Sequence, residues 1–299
     1  MKQILLLTLL ALGYQSASAQ LVTESFGTGG NAFTMDFVTI GNPNNAADTT
    51  GAPNPAGSVG YIYNLGKYEV SRDMITKANS AGSLGITLRD MTYYGGNGVN
   101  RPATGITWYE AATYVNWLNT STGGTAAYKF DGSGTFQLWS EGDAGYNPSN
   151  EFRNSLAKYW LPSSNEWYKG AYGSPNGTWF NYPTGTDANT AVYGGQAGPA
   201  DITNAGGLSA YATMGQGGNA WEWNETAFDG INSTAGENRE MRGGSWNNDG
   251  SNLDASIRDN LSPTFENSSV GFRVASVPEP SAGLLVLLGL SGLLLKRRK

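Results

Sequence analysis

Six side chains between residues 247 and 260 concentrate the chain's hydrogen-bonding capacity: Asn247, Asn248, Asp249, Asn252, Asp254 and Asn260. Amides offer donors and acceptors together, and carboxylates offer acceptors, so paired groups of this kind can hold sugar hydroxyls. The plainer reading is ordinary loop polarity in contact with water. The other reactive types are missing, since the chain has no cysteine and no histidine. This removes Ser-His-Asp and Cys-His nucleophilic machinery and the usual zinc sites, and no copper, zinc or iron is expected. No Gly-x-x-x-x-Gly-Lys-Ser/Thr string is present to cradle a phosphate. Gly27 to Ala32, GTGGNA, lacks the strand–glycine–helix setting of a dinucleotide site. Asn247-Asn248-Asp249-Gly250 has the wrong spacing for a calcium loop. A carboxylate pair could hydrolyse glycosides, but 24 scattered acidic residues nominate no pair.

The elements that must position these residues are short. The 299 residues include 42 Gly, 9 Trp, 16 Tyr and 10 Phe, a composition of turns folded around large rings rather than of a helical bundle. Residues 20–32 read as a flexible, polar lead-in. Residues 33–40 and 61–70 read as strands, the second interrupted at Gly66, with a long surface loop over 41–60. Ser71 opens a helix ending near Gly82. Thr107 and Glu110 form a capping box ahead of Trp108, Ala111, Ala112, Val115 and Leu118, which predicts a helix over 108–119. Ser163 and Glu166 form a second box, with its helix closed by a left-handed Gly173. Short strands are expected at 221–223, 241–246 and 270–275. Without βαβ alternation, the fold class is α+β.

Both ends read as addresses. Lys2, an apolar run over residues 4–12 and Ala17-Ser18-Ala19 form a secretory signal over residues 1–19, so the mature chain is expected to begin at Gln20. Residues 282–295 are apolar or small and precede a basic end at 296–299. Fourteen helical residues span roughly 21 Å, short of a ~30 Å hydrocarbon core. The basic end is expected to stay cytoplasmic. With Pro278, Glu279 and Pro280 ahead of it, residues 277–299 resemble the PEP-CTERM sorting signal of Gram-negative bacteria. That resemblance implies export through the inner membrane, recognition by an exosortase-type machinery and removal of the tail; the alternative is a permanent C-terminal anchor. Residues 20–280 hold 13 Lys and Arg against 24 Asp and Glu, a net of −11, which argues against a nucleic-acid partner.

Five stretches occur in an order that resembles the formylglycine-generating enzyme, or sulfatase-modifying factor, family. They are GKYEVS from Gly66, RPATGITWYEAATYVNWL from Arg101, YWLPSSNEWYKGA from Tyr159, GNAWEW from Gly218, and RGGSW to GFR from Arg242 to Arg273. The resemblance covers about residues 33–276 and implies a loop-rich variant of the C-type lectin fold. It places Trp108, Trp117, Trp167, Trp221, Trp223 and Trp246 in the core, with Arg258 and Arg273 bridging loops. The family's oxidases use two cysteines, two and seven residues after the motif's tryptophan. Asn248 and Leu253 stand there, and neither binds copper nor does thiol redox chemistry. Relatives that use iron to make thiohistidine sulfoxides need histidine ligands that this chain lacks.

Calcium remains open by resemblance, since it needs oxygen ligands. The family's site at this motif corresponds to the Glu222 side chain with the Gly218 and Ala220 carbonyls. Gly215 stands where a further Asp or Asn belongs. A second site would pair Asn189 with Asp201. The alternative for Glu222 is a carboxylate that accepts backbone N–H groups and pairs with an arginine. The expected function is a non-catalytic, exported, lectin-like binding domain associated with exopolysaccharide or another glycan. The alternatives are an enzyme of unrecognised chemistry and a structural surface protein without a specific ligand.

Overall fold

The computed structural model describes residues 20–278. The proposed signal segment and most of the sorting segment, Glu279 and Pro280 included, lie outside the described residues, whereas Pro278 lies within them. In chain order the elements are β1 (Leu21–Phe26), β2 (Phe33–Ile40), β3 (Tyr63–Gly66), α1 (Arg72–Gly82), α2 (Trp108–Ser121), β4 (Lys129–Phe130), β5 (Phe136–Gln137), β6 (Tyr159–Trp160), α3 (Ser164–Tyr172), β7 (Trp221–Ala227), β8 (Arg239–Arg242), β9 (Asp259–Leu261), β10 (Val270–Gly271) and β11 (Ala275–Ser276). The architecture is α+β, as the sequence implies. Among the described residues no helix is long and apolar enough to cross a membrane.

A five-stranded sheet runs β1-β2-β3-β11-β6, and a four-stranded sheet runs β10-β7-β8-β9. β11 lies antiparallel between β3 and β6, so the last of the described strands closes the first sheet beside strands laid down long before. β10 is parallel to β7, with Val270 opposite Trp221. The closing segment therefore contributes strands to both sheets.

Residues 20–32 are not a loose lead-in. Leu21 to Phe26 pairs antiparallel with Val38 to Phe33, and only Phe26 is buried. The strand stands on backbone hydrogen bonds at a sheet edge, which polar side chains do not prevent. Four boundaries also differ from expectation. The strand expected over 270–275 divides into β10 and β11, which join different sheets. The second strand shortens to Tyr63–Gly66. β7 extends four residues beyond Trp223. β8 stops at Arg242, because Gly243 and Gly244 adopt φ of 97° and 68°.

Both capping boxes form. Thr107 Oγ1 accepts the Glu110 amide at 3.0 Å, and Glu110 accepts the Thr107 amide at 2.9 Å. Ser163 and Glu166 repeat this pattern at α3. Gly173 closes α3 with extended φ and ψ of −84° and 170° rather than a left-handed turn, since the chain leaves there to bridge Trp179. The six tryptophans are all buried. Trp108 donates to the Asn224 carbonyl and Trp223 to the Ile106 carbonyl, both at 2.9 Å, which locks the start of α2 onto β7. Tyr128 and Phe136 stack edge-on against Trp108 at 5.2 Å, while Arg239 covers its face at 4.6 Å.

Candidate functional site

The closing segment leaves β8 through two glycines because the backbone there passes too close for a side chain. A Cβ on Gly243 would meet the Gln216 carbonyl at 2.3 Å, and φ is positive as well. The chain then turns so that the Trp246 amide donates to the Asn219 carbonyl. The Trp246 ring lies 5.5 Å from that of Tyr94, and its Nε1 is buried without a hydrogen-bond partner. Tyr193 packs over Gly250, where a Cβ would meet the ring at 2.9 Å. Neither tyrosine is legible as a site residue in the sequence; each sits in a glycine-rich loop and arrives by long-range packing.

The six polar candidates divide. Asn247 and Asp249 are exposed on the turn. Asn248 faces inward: its Oδ1 accepts Trp221 Nε1 at 2.8 Å and Ser245 Oγ at 2.6 Å. Asn252 is half-buried and reaches the Asp249 carbonyl at 3.4 Å. Asp254 accepts the Ser256 amide and hydroxyl. Asn260 lies apart on β9, opposite Glu240, with its Oδ1 taken by Asn238. The structure thus groups Asn247, Asn248, Asp249 and Asn252, and separates Asn260. Leu253 is fully buried, and its carbonyl accepts the Tyr172 hydroxyl at 3.0 Å. Both positions that carry thiols in the oxidases are here committed to packing and internal hydrogen bonds.

Glu222 is equally committed. Its Oε2 receives Arg273 Nε and Trp167 Nε1, and its Oε1 receives Arg273 Nη2, each at 2.6 Å. Arg273 also donates to the Gly66 carbonyl at 2.8 Å and the Met214 carbonyl at 2.9 Å, tying β3, the 214 loop and β7 together. A cation beside Glu222 would face a guanidinium, so the residues do not fit calcium there. The Glu69 carboxylate stands nearby with Oε2 on Asn219 Nδ2 at 2.6 Å and Oε1 without a partner. Burial first, and Glu222 second, push the Glu69 carboxyl well above its ordinary value. Gly215 leaves the room: a Cβ would come within 2.9 Å of Glu69 Oε2. The glycine that stands where a further calcium ligand is expected thus leaves room for the Glu69 carboxyl. Gly218 and Ala220 are buried beside this pair. Asn189 spends its Oδ1 on the Ala191 amide, Asp201 is exposed, and no hydrogen bond joins them. Among the described residues no group of three or more Asp or Glu side chains is placed to hold a metal ion.

A polar cavity of about 270 Å³ opens at the far end of β7. Glu225 and Thr226 line it from β7, Glu240 from β8, Asn165 from the start of α3, and Arg258 from the closing segment. Glu225 accepts Asn150 Nδ2 at 2.5 Å and the Tyr128 hydroxyl at 2.9 Å. Burial raises its carboxyl above the ordinary value, with Arg153 opposing. Glu240 accepts Ser164 Oγ and Arg242 Nε at 2.5 Å and Arg258 Nη1 at 2.9 Å. None of the six candidate side chains lines this cavity.

Two sheets closed by the last described strands, with long loops carrying the polar groups, define a C-type lectin-like domain of the formylglycine-generating type. The chain belongs to the sulfatase-modifying factor enzyme 1-like domain family, matched over residues 35–277. Its fold is similar to that of variable protein 1 of Treponema denticola, at 21% identity and TM-score 0.62 over 86% of this chain and 99% of that one. It is also similar to CarF, at 17% identity and TM-score 0.61 over 82% and 99% of the two chains. PvdO from Pseudomonas aeruginosa aligns at 16% identity and TM-score 0.55 over 85% and 98%. No curated protein matches the sequence.

Proposed function

We propose that this is an exported, non-catalytic domain that binds a glycan at the cell surface or in extracellular matrix, in association with exopolysaccharide. The carrying observation is the state of the old reaction centre. Asn248 is held by Trp221 and Ser245, Leu253 is buried, and no side chain there offers a thiol. The same turn still exposes Asn247 and Asp249, while its Trp246 packs against the Tyr94 ring and its Gly250 against that of Tyr193. Aromatic faces with amide and carboxylate neighbours suit a ring that is apolar on its faces and hydroxylated at its edge. Export rests on the leader at 1–19, and delivery on exosortase recognition of the segment from Pro278, with the tail then removed or kept as an anchor.

A glycan array probed with the mature domain, with and without calcium, tests this reading. Binding above background that Asn247→Ala and Tyr94→Ala both weaken is expected. No binding under either condition overturns it and favours a structural surface protein. The second reading, carboxylate-based hydrolysis, is favoured by Glu225, a carboxyl raised by burial at the edge of a cavity. Release of reducing ends from the bound glycan would select it.

A further inference from the structure

We infer that the outer edge of β1 is an interface for a second copy of this chain: two β1 strands pair antiparallel about Thr23 and join two five-stranded sheets into one. The inference is independent of the glycan reading and uses none of its residues. The register fixes which backbone groups are free. The Thr39 amide donates to the Gln20 carbonyl at 2.9 Å, so these two residues form a hydrogen-bonded pair. Such pairs alternate along an antiparallel ladder, and β1 runs unbroken from Leu21 opposite Val38 to Phe26 opposite Phe33. Val22, Glu24 and Phe26 therefore bond to β2, while the N–H and C=O groups of Leu21, Thr23 and Ser25 point away from it. The same alternation turns the Asp36 carbonyl of β2 toward β3, where it accepts the Lys67 amide at 2.8 Å.

β1 is the end strand of its sheet, and among the described residues no hydrogen bond reaches those outward groups. Native edges of this kind are normally blunted by Pro, Lys, a bulge or a covering segment. LVTESF contains neither Pro nor Lys, its register shows no bulge, and Leu21, Thr23 and Ser25 are exposed. Its one charge does not guard the edge. Glu24 lies on the opposite face with Phe26 and is spent on the Lys158 ammonium at 2.8 Å and on the Tyr159 hydroxyl. The sheet's other edge, β6, is closed. Asn119 Oδ1 accepts the Lys158 and Tyr159 amides at 2.8 and 3.0 Å, its Nδ2 donates to the Tyr159 carbonyl at 2.8 Å, and the Tyr128 hydroxyl accepts the Leu161 amide at 2.8 Å.

With one edge of this sheet open and the other capped, pairing through β1 is isologous and closes at two copies instead of growing into a fibre. The strand is complementary to itself. Antiparallel pairing about Thr23 sets Leu21 opposite Ser25 of the second copy and Thr23 opposite Thr23, and the outward N–H groups of each strand meet the outward C=O groups of the other. On the reverse face Glu24 comes opposite Val22, so like charges do not meet directly, and Thr–Thr pairs are among the favourable cross-strand neighbours. A contact made by one strand from each copy is small, which places it among transient interfaces.

The test is sedimentation equilibrium of the domain over residues 20–278, which holds both closed sheets, from about 1 µM to about 1 mM, the range of weak association. Salt of about 0.15 M screens repulsion between the acidic copies beyond roughly 8 Å. A reversible monomer–dimer equilibrium is expected. Thr23→Pro removes an N–H that bonds nothing within one copy, and should weaken the dimer about 10–100-fold through its two lost hydrogen bonds. Cysteine variants decide the matter should that variant fail to fold. The chain has no cysteine, so a single introduced thiol can form a disulfide only with another copy. Thr23→Cys should cross-link readily under mild oxidation. Leu21→Cys should not, although Leu21 is 53% exposed. Its two copies would stand about 13 Å apart, four residues at about 3.3 Å each, beyond the roughly 7 Å that a disulfide spans. A monomer at every concentration, association that Thr23→Pro leaves unchanged, or cross-linking at position 21 as fast as at 23 overturns the interface.

Discussion

Replacing Arg273 by Met tests whether the Glu222–Arg273 pair holds the two sheets in register. The guanidinium is fully buried and satisfies both oxygens of Glu222 and the carbonyls of Gly66 and Met214. Methionine fills much of the volume but supplies none of these donors. Removing one partner of a buried pair leaves the other charge uncompensated and destabilises by about 3–5 kcal/mol. For a domain of this size each kcal/mol lowers Tm by roughly 2–4 °C, so a fall of about 6–20 °C is expected. Thermal unfolding followed by circular dichroism measures it. The double variant Glu222→Gln, Arg273→Met removes the stranded charge, so it should be more stable than Arg273→Met alone, giving a positive coupling. A loss under about 1 kcal/mol in the single variant, or strict additivity in the double, would refute the reasoning. Calcium added to the wild type should not raise Tm, because a ligand that does not bind the folded state does not stabilise it.

Three further outcomes follow from the same geometry. Glu69 stays protonated in the fold well above the pH, about 4.3, at which it ionises in the unfolded chain. Between those values the unfolded chain holds fewer protons, so this group's contribution falls as pH rises above about 4.3. Glu69→Gln should therefore raise Tm relative to wild type at pH 8 but not at pH 4, and an equal difference at both would contradict the assignment. Leu253→Ala removes a fully buried side chain and should lower unfolding free energy by about 2–5 kcal/mol in a urea titration. Gly243→Ala places a Cβ 2.3 Å from the Gln216 carbonyl at a φ of 97°, and should destabilise by more than about 2 kcal/mol in the same measurement.

Much of the framework was legible because it is written in local chemistry. Thr107 and Glu110, or Ser163 and Glu166, satisfy each other's backbone within one turn, so four letters suffice to place a helix start. The tryptophans were legible as core because few other places take so large a ring. β1 was not legible, since LVTESF buries only Phe26 and owes its place to β2. The Gly173 cap failed because its pairing with Trp179, which local turn chemistry does not show, decides its backbone. At the candidate site the sequence identified Asn248 and Leu253 as the altered positions. It did not show that Asn248 points at Trp221, which requires β7 beside the turn. Glu69 carried one faint signal, the glycine at 215 where a larger ligand was expected. The polar cavity carried none: its walls come from residues as far apart as Pro53 and Arg258, joined only by folding.

The claim that the inherited framework grips rather than oxidises is tested most directly by incubating the purified domain with copper(I), oxygen and a cysteine-containing sulfatase peptide. Mass spectrometry then reads both the peptide and the metal content. With Asn248 and Leu253 in the two thiol positions, the peptide should return unchanged and no stoichiometric copper should remain on the protein. Conversion of the peptide cysteine to an aldehyde would contradict the account.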